Sequence, residues 1–297
     1  MAKTLWRDRN DALDPETDYV EIYQNLALYE FTWDLTQSLS FALLRTYAVP
    51  NVGRLLYETG AFTGDVQKRY DDTALLLEVP FVHGFDSEQG RTALRRINQM
   101  HRAYDISNDD FLYVLSTFVV VPKRWLDSYG WRPLTPTELR AAVNYYRALG
   151  RHMGIKDIPE TYDEFMHLMD DYERAHFDFD PGARRVADST LALMTTFYPR
   201  PLRKPVEVFS RALMDKPLLD AFAYTEPSAA VRRASLLAMR ARARLLRYVP
   251  SNRKPTFTAD LPRIKSYPEG FAVEELGTRP VPGVAGCPVR HKADAPA

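Results

Sequence analysis

Apolar side chains recur every three to four positions along most of this chain, and runs that alternate apolar with polar are scarce. That pattern predicts helices and no sheet. The first repeat, Ile22, Leu26, Tyr29, Trp33 and Thr36, predicts one long helix over Val20 to Arg45, closed by Pro50. A short helix near Val52 to Glu58 follows, then a loop from Gly60 to Gly64. The next helix covers Val66 to Glu78, bounded by Pro80 and Gly84, and a further pattern spans Ser87 to Tyr104. Ser107 or Asn108 opens the following helix, with Asp109 and Asp110 complementing its positive end. Its run from Phe111 to Val121 is apolar on most sides and predicts deep burial, and Pro122 is expected to kink or end it.

Two capping boxes mark helix starts, Thr135-Pro136-Thr137-Glu138 and Thr161-Tyr162-Asp163-Glu164. Asp180-Pro181 begins another helix, Pro205 and Pro217 bracket shorter pieces, and Pro227 to Tyr248 forms a last, strongly basic one. Beyond it, Pro255, Pro262, Pro268, Pro280, Pro282, Pro288 and Pro296 forbid long helices. The predicted organisation is an N-terminal arm (1–19), one helical domain (20–250) and an extended or partly disordered tail (251–297).

Composition changes this picture by exclusion. With 45% hydrophobic residues among 297, the chain can bury a core without staples. Lys plus Arg and Asp plus Glu balance at 39 each, so the electrostatic footprint of a nucleic-acid binder is absent. The single cysteine, Cys287, allows no intrachain disulfide and fits a reducing compartment. The charged start, with Arg7, Asp8, Arg9, Asp11 and Asp14, does not read as a signal peptide, and the expected location is cytoplasmic. The richest apolar run, Phe111 to Pro122, falls short of the roughly 18 residues that a spanning helix needs.

Candidate chemistry centres on two helices. On Arg91 to Tyr104, the residues Leu94, Ile97, His101 and Tyr104 share one face, so His101 points inward. On the residues alone, a hydrogen-bonded core histidine leads and metal or haem ligation comes second. On the preceding helix Arg69 and Thr73 sit one turn apart beside Leu76 and Leu77. A cation and a hydroxyl against an apolar wall suit a haem propionate or bound dioxygen; a structural ion pair from Arg69 to Asp65 or Asp72 is the competing reading.

Taken together, Arg69, Thr73, then His101 within Asn98-Gln99-Met100-His101-Arg102-Ala103-Tyr104, then the apolar helix ending near Trp125, resemble the latex-clearing rubber oxygenases and the mycophenolic-acid-pathway oxygenases over roughly residues 30 to 250. The resemblance implies an all-α fold, a single globular helical domain with a globin-like haem pocket and a Pro-rich C-terminal arm. It implies haem b as cofactor, with His101 as the iron ligand and Arg69 and Thr73 on the opposite, oxygen-binding side. By the same resemblance a glutamate serves as base, and Glu58 is the nearest upstream candidate. Rubber oxygenases can carry a lysine immediately before that threonine and are exported. Here the position is Asp72 and no signal sequence is read, which points away from a lysine-capped iron and from polymeric rubber.

The function expected is therefore a haem-dependent oxygenase or oxidoreductase acting with dioxygen on an apolar substrate, whether isoprenoid, lipid or aromatic. A haem protein without turnover, acting in sensing, storage or electron transfer, needs the same ligand and stays open, as does a cofactor-free helical lipid carrier. A redox partner is left unidentified. The basic helix, with Arg232, Arg233, Arg240, Arg242, Arg244 and Arg247 against Leu236, Leu237, Leu245 and Leu246, suits peripheral membrane contact through 231–248; a solvated face on a core-packed helix is the simpler reading. Glu164-Phe-Met-His167 and Glu173-Arg-Ala-His176 share the di-iron spacing but lie on opposite faces of one helix, and so cannot share a site. Cys287-Pro288, with His291 nearby, lacks the spacing of covalent haem attachment and is set aside.

Overall fold

Side chains, rather than propensity alone, fix where most helices of this protein begin. A computed structural model describes residues 3–277. It starts with α1 (Leu5–Asn10), α2 (Tyr19–Gln24), α3 (Thr32–Thr46), α4 (Pro50–Glu58) and the single turn α5 (Ala61–Gly64). Asp65 then caps α6 (Val66–His83), Ser87 caps α7 (Glu88–His101) and Ser107 caps α8 (Asn108–Tyr129), each accepting from a backbone N–H in the first turn. Both predicted capping boxes form, at the starts of α9 (Pro136–His152) and α10 (Tyr162–His176). Asp180 caps α11 (Pro181–Thr196), and α12 (Arg203–Leu213), α13 (Lys216–Ala221) and α14 (Ala229–Leu246) complete the set. No strand occurs among the described residues, so the fold is all-α, as the periodicity predicts.

The apolar helix α8 sits at the centre. It packs against α3, α9, α10 and α14, and Tyr113 and Val120 are fully buried. Burying each such large apolar side chain contributes on the order of 1.5–3 kcal/mol. Beside it α6 and α7 pack on one another, α5 and α11 also pack against α6, and α4 packs on α11 and α5. No described helix is long and apolar enough to cross a membrane.

The structure departs from the periodicity in three places. The single helix predicted over Val20 to Arg45 is broken into α2, a π-helical stretch over Asn25–Glu30, and α3. A five-residue bond from Phe31 N–H to the Leu26 carbonyl (2.8 Å) marks the wide turn. The reason is polar: buried Asn25 donates to Asn10 (2.9 Å), Asn10 to Glu138 (3.0 Å), and Arg132 pairs with both Glu30 (2.7 Å) and Glu138 (2.6 Å). Satisfying those groups sets a register that an apolar count does not reveal. Secondly, α6 and α8 run through Pro80 and Pro122 instead of ending there. Gln24 donates to the Phe81 and Val82 carbonyls and supplies partners for the last turn of α6. Thirdly, the predicted loop Gly60 to Gly64 contains the helical turn α5, with Gly60 at positive φ (71°) before it.

The residues after α14 pass back across the molecule and lie along α6 and α7 as a strap, with short turns at Thr258–Asp260 and Val273–Glu275. Buried carboxylates on α6 hold it. Asp71 accepts from Lys265 N–H (3.0 Å), Ser266 N–H (2.9 Å) and Ser266 Oγ (2.7 Å); Glu78 accepts from Thr258, and Asp72 from Tyr267. Arg96 of α7 donates twice to the Leu276 carbonyl (3.0 and 2.8 Å). Cys287 and His291 lie outside the described residues.

Candidate active site

Between α3, α4, α6, α7, α8, α11 and the strap lies a cavity of about 1110 Å³. That exceeds the roughly 300–1,000 Å³ typical of small-molecule pockets, so it has room for a planar macrocycle and a further ligand. The four residues singled out from sequence, His101, Arg69, Thr73 and Glu58, all line it.

His101 is the last residue of α7, where the helix gives way to the turn that Ser107 closes before α8. Its ring meets Phe111 edge-on, with centroids 5.4 Å apart. Nδ1 is buried and makes no well-formed hydrogen bond, although the Ile97 carbonyl one turn back favours a proton there. Burial first, and the Arg69 charge second, push the His101 pKa down to about 4. The ring is therefore neutral at ordinary pH. A proton on Nδ1 leaves the other nitrogen's lone pair available to a metal.

Arg69 and Thr73 form one unit on α6. The guanidinium Nη1 donates to Thr73 Oγ1 (2.6 Å), while that hydroxyl donates to the Arg69 carbonyl (2.8 Å). The guanidinium also lies 5.2 Å from the Phe62 ring centre. The ion pairs weighed from sequence do not form: Asp72 takes Lys68 (2.7 Å) and Tyr267, and Asp65 caps the helix. Burial lowers the Arg69 pKa, and only Tyr47, Asp72 and Tyr104 oppose that electrostatically. A buried cation without a carboxylate in ion-pair contact, facing an apolar cavity, attracts an anion.

Glu58 is different. It stands at the end of α4 and is exposed, so it belongs to the rim of the cavity rather than its depth. Of the other polar residues in the lining, Glu78, Arg263 and Thr258 are not marked as site residues by the sequence. Glu78 is masked in the sequence by its apolar neighbours on α6, and no local signal places the strap residues beside it.

The glutamates of the two Glu-x-x-His pairs are engaged elsewhere. Glu164 closes the α10 capping box, and Glu173 is buried against Arg45 and Tyr113 (3.1 Å). His167 is exposed, whereas His176 stacks on Tyr172 at 4.0 Å. Among the described residues no group of three or more His, Cys, Asp or Glu side chains could hold a metal ion. Of the two histidines in the lining, His176 is exposed, whereas His101 has its Nδ1 buried. That neutral histidine, with the Arg69 cation near, which no carboxylate among the described residues pairs, fits a haem held by a single protein ligand.

Residues 30–248 match the sequence model of a family described as the ER-bound oxygenase mpaB/B'/rubber oxygenase catalytic domain. Similar proteins include the ER-bound oxygenase mpaB' of Penicillium brevicompactum, 31% identical over 225 residues, covering 70% of this chain and 53% of that protein. The ER-bound oxygenase mpaB of the same organism is 31% identical over 217 residues, covering 67% and 55%. The mpaB of Penicillium roqueforti (strain FM164) is 28% identical over 224 residues, covering 69% and 75%. The chain thus spans about half the length of the two Penicillium brevicompactum relatives.

Proposed function

Because the chain belongs to the mpaB/B' and rubber oxygenase catalytic-domain family, we propose that it is a haem-b-dependent oxygenase acting with dioxygen on an apolar isoprenoid, lipid or aromatic substrate. The observation that carries this reading is the neutral His101 and Arg69, which no carboxylate among the described residues pairs, lining one largely apolar cavity. Haem iron, when bound, supplies the one-electron and dioxygen chemistry.

The protein's own groups do the rest. His101 would hold the iron of a bound haem through a neutral ring nitrogen, with no proton to displace from it in the ordinary pH range. Arg69 would hold an anionic group entering the cavity, a haem propionate among the candidates, and Thr73 fixes the direction of its guanidinium. The leucines and aromatics around the cavity keep water out and hold an apolar substrate by burial. Glu58 at the rim is the carboxylate available to take a proton as substrate enters or product leaves.

Apolar substrate is best delivered from a membrane surface, and α14 suits that contact. Arg233, Leu237, Arg240, Arg244 and Tyr248 follow one exposed stripe at helical spacing, with Leu245 and Val249 exposed beside it. Arg242 is turned the other way, into Asp34 (2.8 Å) and over the Trp33 ring (3.8 Å), Arg247 donates to the Trp131 carbonyl (3.1 Å) and Arg232 pairs with Glu226 (3.3 Å), so these anchor the segment while Arg233, Arg240 and Arg244 face outward. Relatives bearing the name ER-bound oxygenase support the same reading.

The deciding experiment is the absorption spectrum of the purified full chain, before and after addition of haemin. A strong Soret band at one haem per chain is expected. A colourless protein that fails to take up haemin overturns the oxygenase reading.

A further inference from the structure

One lobe of the cavity has no part in the chemistry above. It is marked by Thr36 of α3, Glu78 of α6, and Thr258 and Arg263 of the strap, which all line the cavity and bond in pairs, Arg263 to Thr36 and Thr258 to Glu78. Arg263 comes from the strap, beyond the last residue that matches the oxygenase family, 248. Its guanidinium donates to Thr36 Oγ1 (3.3 Å), and its own carbonyl accepts from Gln67 Nε2 (2.9 Å). Two residues further on, the Asp71 latch fixes the backbone. Arg263 is therefore held in place by its main chain, while its charge is directed into the cavity with a threonine hydroxyl as neighbour.

No carboxylate stands within ion-pair distance of that guanidinium among the described residues. The acid in the same lobe, Glu78, is already used: its oxygens accept from Thr258 N–H (3.0 and 2.7 Å) and from the Thr258 hydroxyl. Burial, the largest influence, raises its pKa, and the Thr258 hydrogen bonds and the Arg263 charge oppose that only in part; burial raises the Tyr70 pKa as well. Leu35, Leu39, Phe81 and Leu261 also line the cavity and give it apolar surface.

We infer that Arg263, oriented by Thr36, is a carboxylate-binding subsite that takes the acidic end of an otherwise apolar ligand lying in the cavity. A planar monoanion matches the fork of a guanidinium, and its single charge balances the single cation. A phosphate-like dianion would leave one charge uncompensated in an apolar lobe beside Glu78. The carboxylate has two possible sources, a long-chain acid entering as substrate or a carboxylate on the edge of a tetrapyrrole. Only the second source rests on the haem reading.

The test uses the purified full chain and two pairs of probes. Hexadecanoic acid against hexadecan-1-ol is measured by titration calorimetry, and haemin against its dimethyl ester by absorbance. Wild type is expected to prefer the free acid of at least one pair by about tenfold, the effect of one charge-assisted hydrogen bond. Arg263→Gln is expected to erase that preference and Arg263→Lys to keep part of it. Loss confined to the first pair assigns the subsite to substrate, and loss confined to the second assigns it to the tetrapyrrole. Thr36→Val, which leaves the strap's backbone anchors intact, reduces the same preference and serves if Arg263→Gln does not fold. The inference is overturned if wild type shows no preference in either pair, or if Arg263→Gln and Thr36→Val leave the preference unchanged. A protein that binds no haemin but discriminates between the fatty probes defeats the haem reading and leaves the subsite standing.

Discussion

Arg69 and Thr73 close a small ring on one turn of α6: guanidinium to hydroxyl at 2.6 Å, hydroxyl back to the Arg69 carbonyl at 2.8 Å. The threonine's only proton is thereby committed to the backbone, so Thr73 acts on a ligand through Arg69 rather than by donating to it. Replacing Thr73 with Val should loosen the guanidinium and weaken haemin binding by about 1 kcal/mol, the ordinary value of one hydrogen bond. Arg69→Ala should cost more, and the double variant should equal Arg69→Ala alone. Haemin dissociation rates for the four proteins measure this, and additive single effects would show that the two side chains act separately.

His101→Ala should abolish stoichiometric haem binding and leave helicity intact, because the side chain stands at the end of α7, where its ring meets Phe111 edge-on, and forms no cap or ion pair among the described residues. Circular dichroism and the Soret band report the two properties separately. The double variant His167→Ala, His176→Ala should retain haem. Retention of a full Soret band in His101→Ala would exclude it as the ligand.

Glu78 gives the strap a pH dependence. Burial, only partly offset by the Thr258 hydrogen bonds, raises its pKa in the folded chain above the unfolded value. The folded state then binds more protons in that interval, so this contribution to stability is present at low pH and is lost as pH rises through the folded value. Glu78→Gln keeps an acceptor for Thr258 and removes the titration. Denaturant midpoints between about pH 4 and about pH 8 should therefore slope less in the variant than in wild type. Equal slopes would remove Glu78 from the account.

Asp71 is fully buried and takes three hydrogen bonds from Lys265 and Ser266. Asp71→Ala strands those donors, at about 1–3 kcal/mol for each group left unsatisfied. Limited proteolysis should cut the variant between residues 254 and 277 much faster than wild type, and unchanged cleavage would show that the strap is held elsewhere.

The exposed arginines of α14 should bind an anionic bilayer. Cosedimentation with vesicles containing phosphatidylserine is expected to fall with added salt, and to fall sharply in the triple variant Arg233→Gln, Arg240→Gln, Arg244→Gln. Binding that is insensitive to both salt and substitution would leave α14 as a solvated face.

Much of this molecule is legible along the chain, because the signals involved are local. Caps at Ser87, Ser107, Thr135, Thr161 and Asp180 act within one turn, and a helical repeat of apolar residues survives any packing arrangement. The same locality brings Arg69 to Thr73 and turns His101 inward, so those candidates are available from spacing and family resemblance alone. Tertiary structure decided what depends on partners distant in sequence. The π turn at Asn25–Glu30 follows from a polar network reaching Arg132 and Glu138, and α6 continues past Pro80 with Gln24 at its last carbonyls. Arg263 reaches the cavity because carboxylates nearly two hundred positions earlier on α6 hold the strap. A side chain's periodicity reports which face is apolar; only the folded chain determines which charge lacks a carboxylate in ion-pair contact among the described residues, and that is what marks Arg69 and Arg263 as places for a ligand.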